Sequence, residues 1–502
     1  MTTTTAAKAG PREWLGLGVL ALPMLLASVD NSVLFLALPH LTADLEPSST
    51  QVLWIMDVYG FMMAGFLITM GTLGDRIGRR RLLTFGAVAF GAASVLAAYA
   101  VSAEMLIAAR MLLGVSAAAV APSALALVGT MFTDARQRAF AIGVFTACFM
   151  GGAALGPVVG GVMLENFWWG SVFLLGVPVA VLLVATAGPL LPESGGEGGG
   201  RLDPASVALS LLAIIPLVYG LKELADEPDA RALGAVAAGL AFGYVFARRQ
   251  LRLAEPLLDL RLFRNRSFSA ALVVLLFTMV MQGGTYLFFS QHLQLVEGFS
   301  PLKAGVWMMP PALALMAGSL LAPVLARSMR PAVIVGAGMV VSTAGFLYVA
   351  VSDDLVPMVI GFALGFLGAA PVATLGLNLI VGTAPADKSG SASATAESSG
   401  ELGVSLGIAT LGSLGAAVYT ASVDLPAGAP ERAEESLADA DAAAAALPEH
   451  LGGELLDAAH AAFASGMTAI ALVAAGLCAA LAVLAGVLLR HLRPIGAEDA
   501  DG

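Results

Sequence analysis

The chain has 502 residues, 58% of them hydrophobic and 12% charged, with 57 glycines, a net charge of −11 and a mean hydropathy of +0.87. These proportions exclude a soluble globular protein and describe a chain dissolved mostly in lipid. The two cysteines, Cys148 and Cys478, both lie inside apolar segments, where they read as small hydrophobes rather than redox groups or metal ligands.

Met1 to Glu13 lacks the pattern of a cleavable leader, and the apolar stretch Trp14 to Pro39 is too long for a signal-peptide core, so it is expected to remain as the first span. Counting apolar stretches of about 20 residues predicts helices over 14–38, 51–70, 82–101, 105–128, 139–163, 168–190, 203–221, 232–247, 268–291, 303–325, 332–351, 355–379, 391–418 and 463–490. That makes an all-α polytopic membrane protein of fourteen transmembrane helices.

Span 1 carries Asp30 and span 2 carries Asp57. Between spans 2 and 3 the chain reads Gly71-Thr72-Leu73-Gly74-Asp75-Arg76-Ile77-Gly78-Arg79-Arg80-Arg81-Leu82-Leu83. Its glycines let two helices turn within a few residues, and its arginines hold the loop on the cytoplasmic side. Span 4 carries Arg110. Span 5 runs through Gly151, Gly152, Gly156, Pro157, Gly160 and Gly161, where small residues permit close helix packing and the proline removes one internal hydrogen bond. Glu397 and Glu401 in span 13 are four apart, on one helical face. Between spans 13 and 14, Asp424 to Asp457 holds much of the excess acid. It is expected to be a solvated acidic loop with a surface helix over Ala438 to Leu447, and it implies neither nucleic acid nor another basic partner.

With the N-terminus inside, Lys222, Arg231, Lys303 and Arg432 fall outside, Arg110 lies within a span, and the other 20 of the 25 Lys and Arg fall inside. This bias supports an even number of spans and cytoplasmic termini. The segment 71–102 realigns with 322–352, so that Arg76 meets Arg327, Arg79 meets Arg330 and, further on, Pro122 meets Pro371. Two six-helix halves follow, 1–190 and 251–502, joined by a linker at 191–250 that carries two inserted helices; the second half includes the acidic loop at about 421–462. Repeats of this kind place a site between the halves near the bilayer midplane, with rocking of the halves giving alternating access.

A charge at the centre of a transmembrane helix costs about 2.5–3.5 kcal/mol, so Asp30, Asp57, Arg110, Glu397 and Glu401 each need a reason. Each admits two readings: a structural ion pair or helix clamp, or a group that binds a cation and exchanges protons. A carboxylate in a cavity can do the second, because desolvation favours its neutral form while a bound cation favours the ionised one. Competition of a proton and a cation for the same carboxylates would couple their fluxes without covalent chemistry. None of the four lysines follows a phosphate-cradling glycine, and the five histidines have no ligand spacing, so neither an ATP-driven pump nor an enzyme is expected. No cofactor or metal is implied.

The loop pattern G-x-L-G-D-R-x-G-R-R-R-x-L resembles that between the second and third spans of major facilitator superfamily transporters. The span 5 sequence resembles the G-x-x-x-G-P-x-x-G-G antiporter motif of facilitator exporters. Span 1, from Asp30 to Pro39, resembles the D-x-T-x-x-x-x-A-L-P pattern of the fourteen-span drug:proton antiporter family, multidrug exporters of the QacA, SmvA and LfrA type. Ser32 stands where that pattern has threonine, Gly176 where the sixth span usually has asparagine, and Arg110 is followed by Met111-Leu112-Leu113-Gly114 without the common glutamine. The resemblance implies the major facilitator fold and proton-coupled efflux of lipophilic cations, such as drugs, dyes or biocides, from the bacterial cytoplasm by a monomer surrounded by lipid. A dedicated self-resistance exporter of one natural product is the alternative. It implies too that Asp30, Asp57 and Glu397 or Glu401 recognise cation and proton, and that Gly71, Asp75, Arg76, Gly78 and Arg79 belong to a cytoplasmic gate.

Overall fold

The structure, a computed structural model, describes residues 9–488 apart from 194–202, 227–228, 254–255, 257, 259, 327, 353 and 383–388. Among the described residues the regular structure is helical. In chain order it comprises α1 (Pro11–Leu45), α2 (Ser49–Ile77), α3 (Arg79–Ala98), α4 (Ala103–Met131), α5 (Ala135–Asn166), α6 (Ser171–Leu174), α7 (Gly176–Leu190), α8 (Pro204–Asp226) and α9 (Ala230–Gln250). There follow α10 (Arg266–Gln291), α11 (Pro301–Leu325), α12 (Pro331–Ala350), α13 (Leu355–Pro371), α14 (Leu377–Gly382), α15 (Ser389–Ser422), α16 (Leu437–Ala444) and α17 (Glu449–Leu488).

The helix starts are set by short polar residues that satisfy free backbone donors. Ser48, Ser102, Asp229, Asn265 and Ser300 each accept from an amide in the first turn. At Ser48 the box closes both ways, since Gln51 Oε1 accepts from the Ser48 amide at 3.0 Å. Thirteen helical segments among the described residues are long and apolar enough to cross a bilayer. The remaining expected span is α8, whose apolar part, Pro204–Leu217, is shorter than the others.

Four spans depart from single uniform helices, among them the ninth, which passes from α10 into a π turn over His292–Val296. The sixth is divided between α6 and α7, and the twelfth changes to a π turn over Val372–Gly376 directly after Pro371, where the proline withholds a helical donor. The last is a 40-residue helix, about 60 Å long. It therefore extends well beyond the ~30 Å hydrocarbon layer and absorbs part of the acidic segment. That segment is solvated on one side only: Glu431, Glu434 and Asp441 are exposed, while Leu437, Ala440, Ala443 and Ala444 of α16 are buried. Tyr419 donates to the Ala433 carbonyl at 3.0 Å and ties the segment to α15.

Within the first set of helices α1 packs along α5, α2 on α4, and α3 on α4 and α7; in the second, α10 packs along α15, α11 on α13, and α12 on α13 and α17. The sets meet where α5 runs along α11, α2 along α15 and α1 against α10. Helices α8 and α9 form a hairpin that rests through α8 on both α2 and α15. Lipid removes the hydrophobic drive between helices, so close backbone approach carries the association. At Gly239 a Cβ would lie 2.8 Å from the Ala213 carbonyl, leaving no room for a side chain between α9 and α8.

Candidate functional site

The site is built around Arg110 on α4, which is 1% exposed. A guanidinium at such depth needs compensation on every side. Its Nη1 donates to Asp30 Oδ2 on α1 at 3.0 Å, and its Nε donates to the Ile55 carbonyl on α2 at 3.2 Å. Its Cζ stands 4.9 Å from the centre of the Tyr59 ring. One side chain thus fastens three helices by charge-assisted hydrogen bonds and a cation–π contact. Asp30 is only slightly accessible, at 8% of its side chain.

Tyr59 continues the site toward the other half. It lies within electrostatic reach of Asp30, Arg110 and Glu401, and its buried hydroxyl has no hydrogen-bond partner among the described residues. Asp57, two residues earlier, is buried, and its carbonyl accepts from Ser405 Oγ of α15 at 3.2 Å. Gly60 faces Ser405 and the Glu401 carbonyl, which lets α2 and α15 approach at this level. One turn further, Ser398 Oγ donates to the Ala64 carbonyl at 3.3 Å. Glu401 is half-buried and Glu397 exposed, and neither has an ion-pair partner among the described residues. The structure therefore joins Asp30 to Arg110 directly and sets Asp57 and Glu401 on opposite sides of one seam, with Glu397 a turn away.

The glycines of α5 serve two faces. Gly152, Gly156 and Gly160 lie against α1, opposite Leu25 and Ser28, Ser32 and Val29, and Val33. A Cβ at Gly156 would collide with Ser32 Oγ, so the two span patterns read separately in the sequence meet in space. Ser32 is held by its own helix, donating to the Ser28 and Val29 carbonyls at 3.0 and 3.1 Å. On its other face α5 meets α11: Gly161 lies against Pro301 and Leu302, and the Pro157 carbonyl against Gly305. Ser290 Oγ of α10 also donates to the Phe35 carbonyl of α1 at 2.9 Å. These approaches, with Gly412 against Leu53 on the α2–α15 seam, cluster in the part of the bundle that carries Leu45 and Phe167.

The basic loop lies at the opposite end. Gly78 joins α2 to α3 with φ of +103°, a conformation other residues rarely adopt, and its amide caps α2 on the Gly74 carbonyl at 3.0 Å. The Arg79 side chain folds beside Gly74, Arg76 is exposed, and Gly71 has open space beside it. The Asp75 side chain and Arg327, the repeat partner of Arg76, lie outside the described residues. Arg80 binds the end of the sixth span, at 3.0 Å from Glu193 and 3.1 Å from the Leu191 carbonyl.

Sequence reasoning passed over Tyr59, Ser405 and Glu193. Tyr59 sits two residues from Asp57 in a span otherwise read for its acids, and Glu193 is the first acid after span 6. Ser405 is one turn beyond Glu401 on the same helical face, a spacing that could have found it.

A family model of the Major Facilitator Superfamily matches residues 20–408. The chain is 42% identical over 497 residues to the multidrug efflux pump LfrA of Mycolicibacterium smegmatis, covering 97% of this chain and 99% of that protein. It is 36% identical to the methyl viologen resistance protein SmvA of Salmonella typhimurium, over 90% of this chain and 93% of that one. The fold is similar to that of a bacterial homologue of the human lysosomal transporter Spinster, solved in an inward-facing, unoccupied conformation. The TM-score is 0.71 at 16% identity, covering 97% of this chain and all of that one.

Proposed function

The chain belongs to the Major Facilitator Superfamily, and on that premise we propose that it expels lipophilic cations from the bacterial cytoplasm in exchange for protons. The observation that carries the proposal is the constellation at the seam of the halves. A buried Asp30–Arg110 pair stands beside Tyr59, within reach of Glu401, and among the described residues neither the Tyr59 hydroxyl has a hydrogen-bond partner nor Glu397 and Glu401 an ion-pair partner. The likeness to pumps whose names concern multidrug efflux and methyl viologen resistance supports the same reading.

In this reading the cation binds between Asp30 and Glu401 beside the Tyr59 ring, whose face attracts positive charge. Arg110 holds Asp30 in place and keeps the local field from becoming too negative. Proton and cation compete at Glu397 and Glu401, so release of one accompanies capture of the other. The basic loop at Gly78 sits on the cytoplasmic side with both termini. The approaches of α5 to α11 and of α2 to α15 then close the outer side, and the cleft opens inward. Rocking about these seams changes the exposed side. The unit that rocks is a monomer of two six-helix halves in the cytoplasmic membrane, with α8 and α9 inserted between them.

The test is cation uptake by inside-out vesicles, with the pH difference and the membrane potential collapsed separately. Uptake should stop when both are removed. Exchange of one proton for one monovalent cation moves no net charge, so it would respond to the pH difference alone; an additional proton would bring in the potential, at about 2.3 kcal/mol per charge per 100 mV. Transport that survives loss of both gradients and needs ATP or sodium would overturn the reading.

A further inference from the structure

Inside the first six-span half lies a recess of about 60 Å³ with an almost wholly apolar lining, which the charged site does not use. Ala27 of α1, Phe90 of α3, Ala121 of α4 and Ala180 of α7 form its inner walls, and Met63 of α2 and Phe149 of α5 also line it. Helices α2 and α5 are the ones that run along the second half, and Phe149 is 43% exposed. Met63 and Phe149 thus border the recess on the two helices of this half that run along the second half.

Its position relative to the charges is fixed by helix geometry. Ala27 precedes Asp30 by three residues and Met63 follows Tyr59 by four, so along the two helices the recess begins about 4.5 and 6 Å from the charged site. Both steps run toward the end of the bundle that carries Gly78. Its size also discriminates. A volume of 60 Å³ is several times the ~10–15 Å³ that one water requires and less than half of the ~150 Å³ of an apolar cavity that admits benzene. Lacking polar partners, it favours hydrocarbon over water.

We propose that this recess receives a short alkyl arm, up to about butyl, of a quaternary ammonium ion whose nitrogen sits between Asp30 and Glu401. The assignment rests on the cation reading above and adds a size rule to it. Charge and arm are recognised at two places along α1, so affinity rises with the length of one substituent until the recess is full. A benzyl substituent, whose ring is wider than an alkyl chain, does not enter fully and gains less per carbon.

The experiment is direct binding of a trimethylammonium series, with methyl, ethyl, propyl or butyl as the fourth group, to the purified full-length protein. Affinity should rise about fourfold per methylene, equivalent to ~0.8 kcal/mol. Ala121→Leu and Ala180→Leu, each filling the recess from a different helix, should flatten that slope to less than twofold across the series. The slope is the readout, so a general loss of affinity in one variant does not imitate the result. An unchanged slope in both variants overturns the recess while leaving the cation reading in place. A flat wild-type series, as expected if a lipid chain occupies the recess, overturns it equally. Failure of the wild-type protein to bind any member removes the cation reading and this assignment with it.

Discussion

The carboxylates of the two halves are treated differently. Asp30 in the first half is almost enclosed and accepts from a fully buried arginine at 3.0 Å, whereas the exposed Glu397 and half-buried Glu401 on α15 of the second half have no ion-pair partner among the described residues. A paired buried acid is a fixed part of the framework, because separating it from its cation would strand two charges in a low-dielectric interior. Two acids one turn apart repel when both are charged, and a proton or a cation relieves that repulsion. In the proposed exchange cycle this asymmetry would give positioning to the first half and exchange to the second, with Tyr59 between them.

The largest expected effect is the one that breaks the paired side. Arg110→Ala should destabilise the protein by about 3–5 kcal/mol, since it leaves Asp30 buried without its cation. Adding Asp30→Asn should recover much of that stability while transport stays absent, as an amide no longer balances the charge of a bound cation. Thermal unfolding in detergent gives the first quantity and vesicle transport the second. An Arg110→Ala variant as stable as the parent would place Asp30 in a wetter environment than this structure shows.

The unpaired side should respond in the opposite manner. Glu401→Gln and Glu397→Gln should each leave stability within about 1 kcal/mol, because no ion pair is lost, and yet lower cation transport at least tenfold in one of the two. The size of that loss is set by the ~2–3 kcal/mol of a charge-assisted contact. If both variants transport at the parental rate, the contrast between the halves has no functional content.

Gly156 tests how rigid the framework around Asp30 is. Gly156→Ala places a Cβ against Ser32 Oγ, two residues from Asp30, and overpacking of this kind costs about 1–3 kcal/mol. Ser32→Ala in the same chain should relieve part of the cost, since the hydroxyl is the atom nearest the new methyl. Absence of any relief would mean that the helix backbones, and not this contact, resist the change.

How far the fold could be read from the sequence is clearest at the helix starts. The tenth span was expected from residue 303 and begins at Pro301, the eighth from 232 and begins at Ala230, because Ser300 and Asp229 cap them and apolar length sets the rest. The individual site residues were also legible, since charges within spans are rare. Their partners were not: Arg110 and Asp30 are 80 residues apart, and no local pattern specifies such a pairing. The acidic segment was legible only in part. Its charge predicted solvation, while the buried stripe of Leu437, Ala440, Ala443 and Ala444 follows a helical period inside an alanine-rich stretch whose composition hides it.

The smallest effect sharpens the comparison by repeating the same chemistry at the periphery. Asp203, just before α8, accepts from Arg249 of α9 at 2.8 and 2.9 Å, with Ser206 completing the network. These contacts, chiefly the hydrogen bonds from Arg249, hold the Asp203 carboxyl at about 2, below its ordinary 3.8. A lowered value means that the ionised form stabilises the folded state, fully above pH 3.8 and decreasingly as pH falls toward 2. Arg249 is 39% exposed, so solvent screens the pair and Asp203→Asn should cost only ~1 kcal/mol at pH 7. That difference should shrink between pH 4 and pH 2 and should diminish with added salt, neither of which is expected of the enclosed Asp30–Arg110 pair. Unfolding midpoints of the Asp203→Asn and parent proteins at two pH values and two salt concentrations measure it. A salt-insensitive loss of several kcal/mol would show that the α8–α9 hairpin is fixed by a buried charge as firmly as the central site, and that depth in the bundle is not what separates the two pairs.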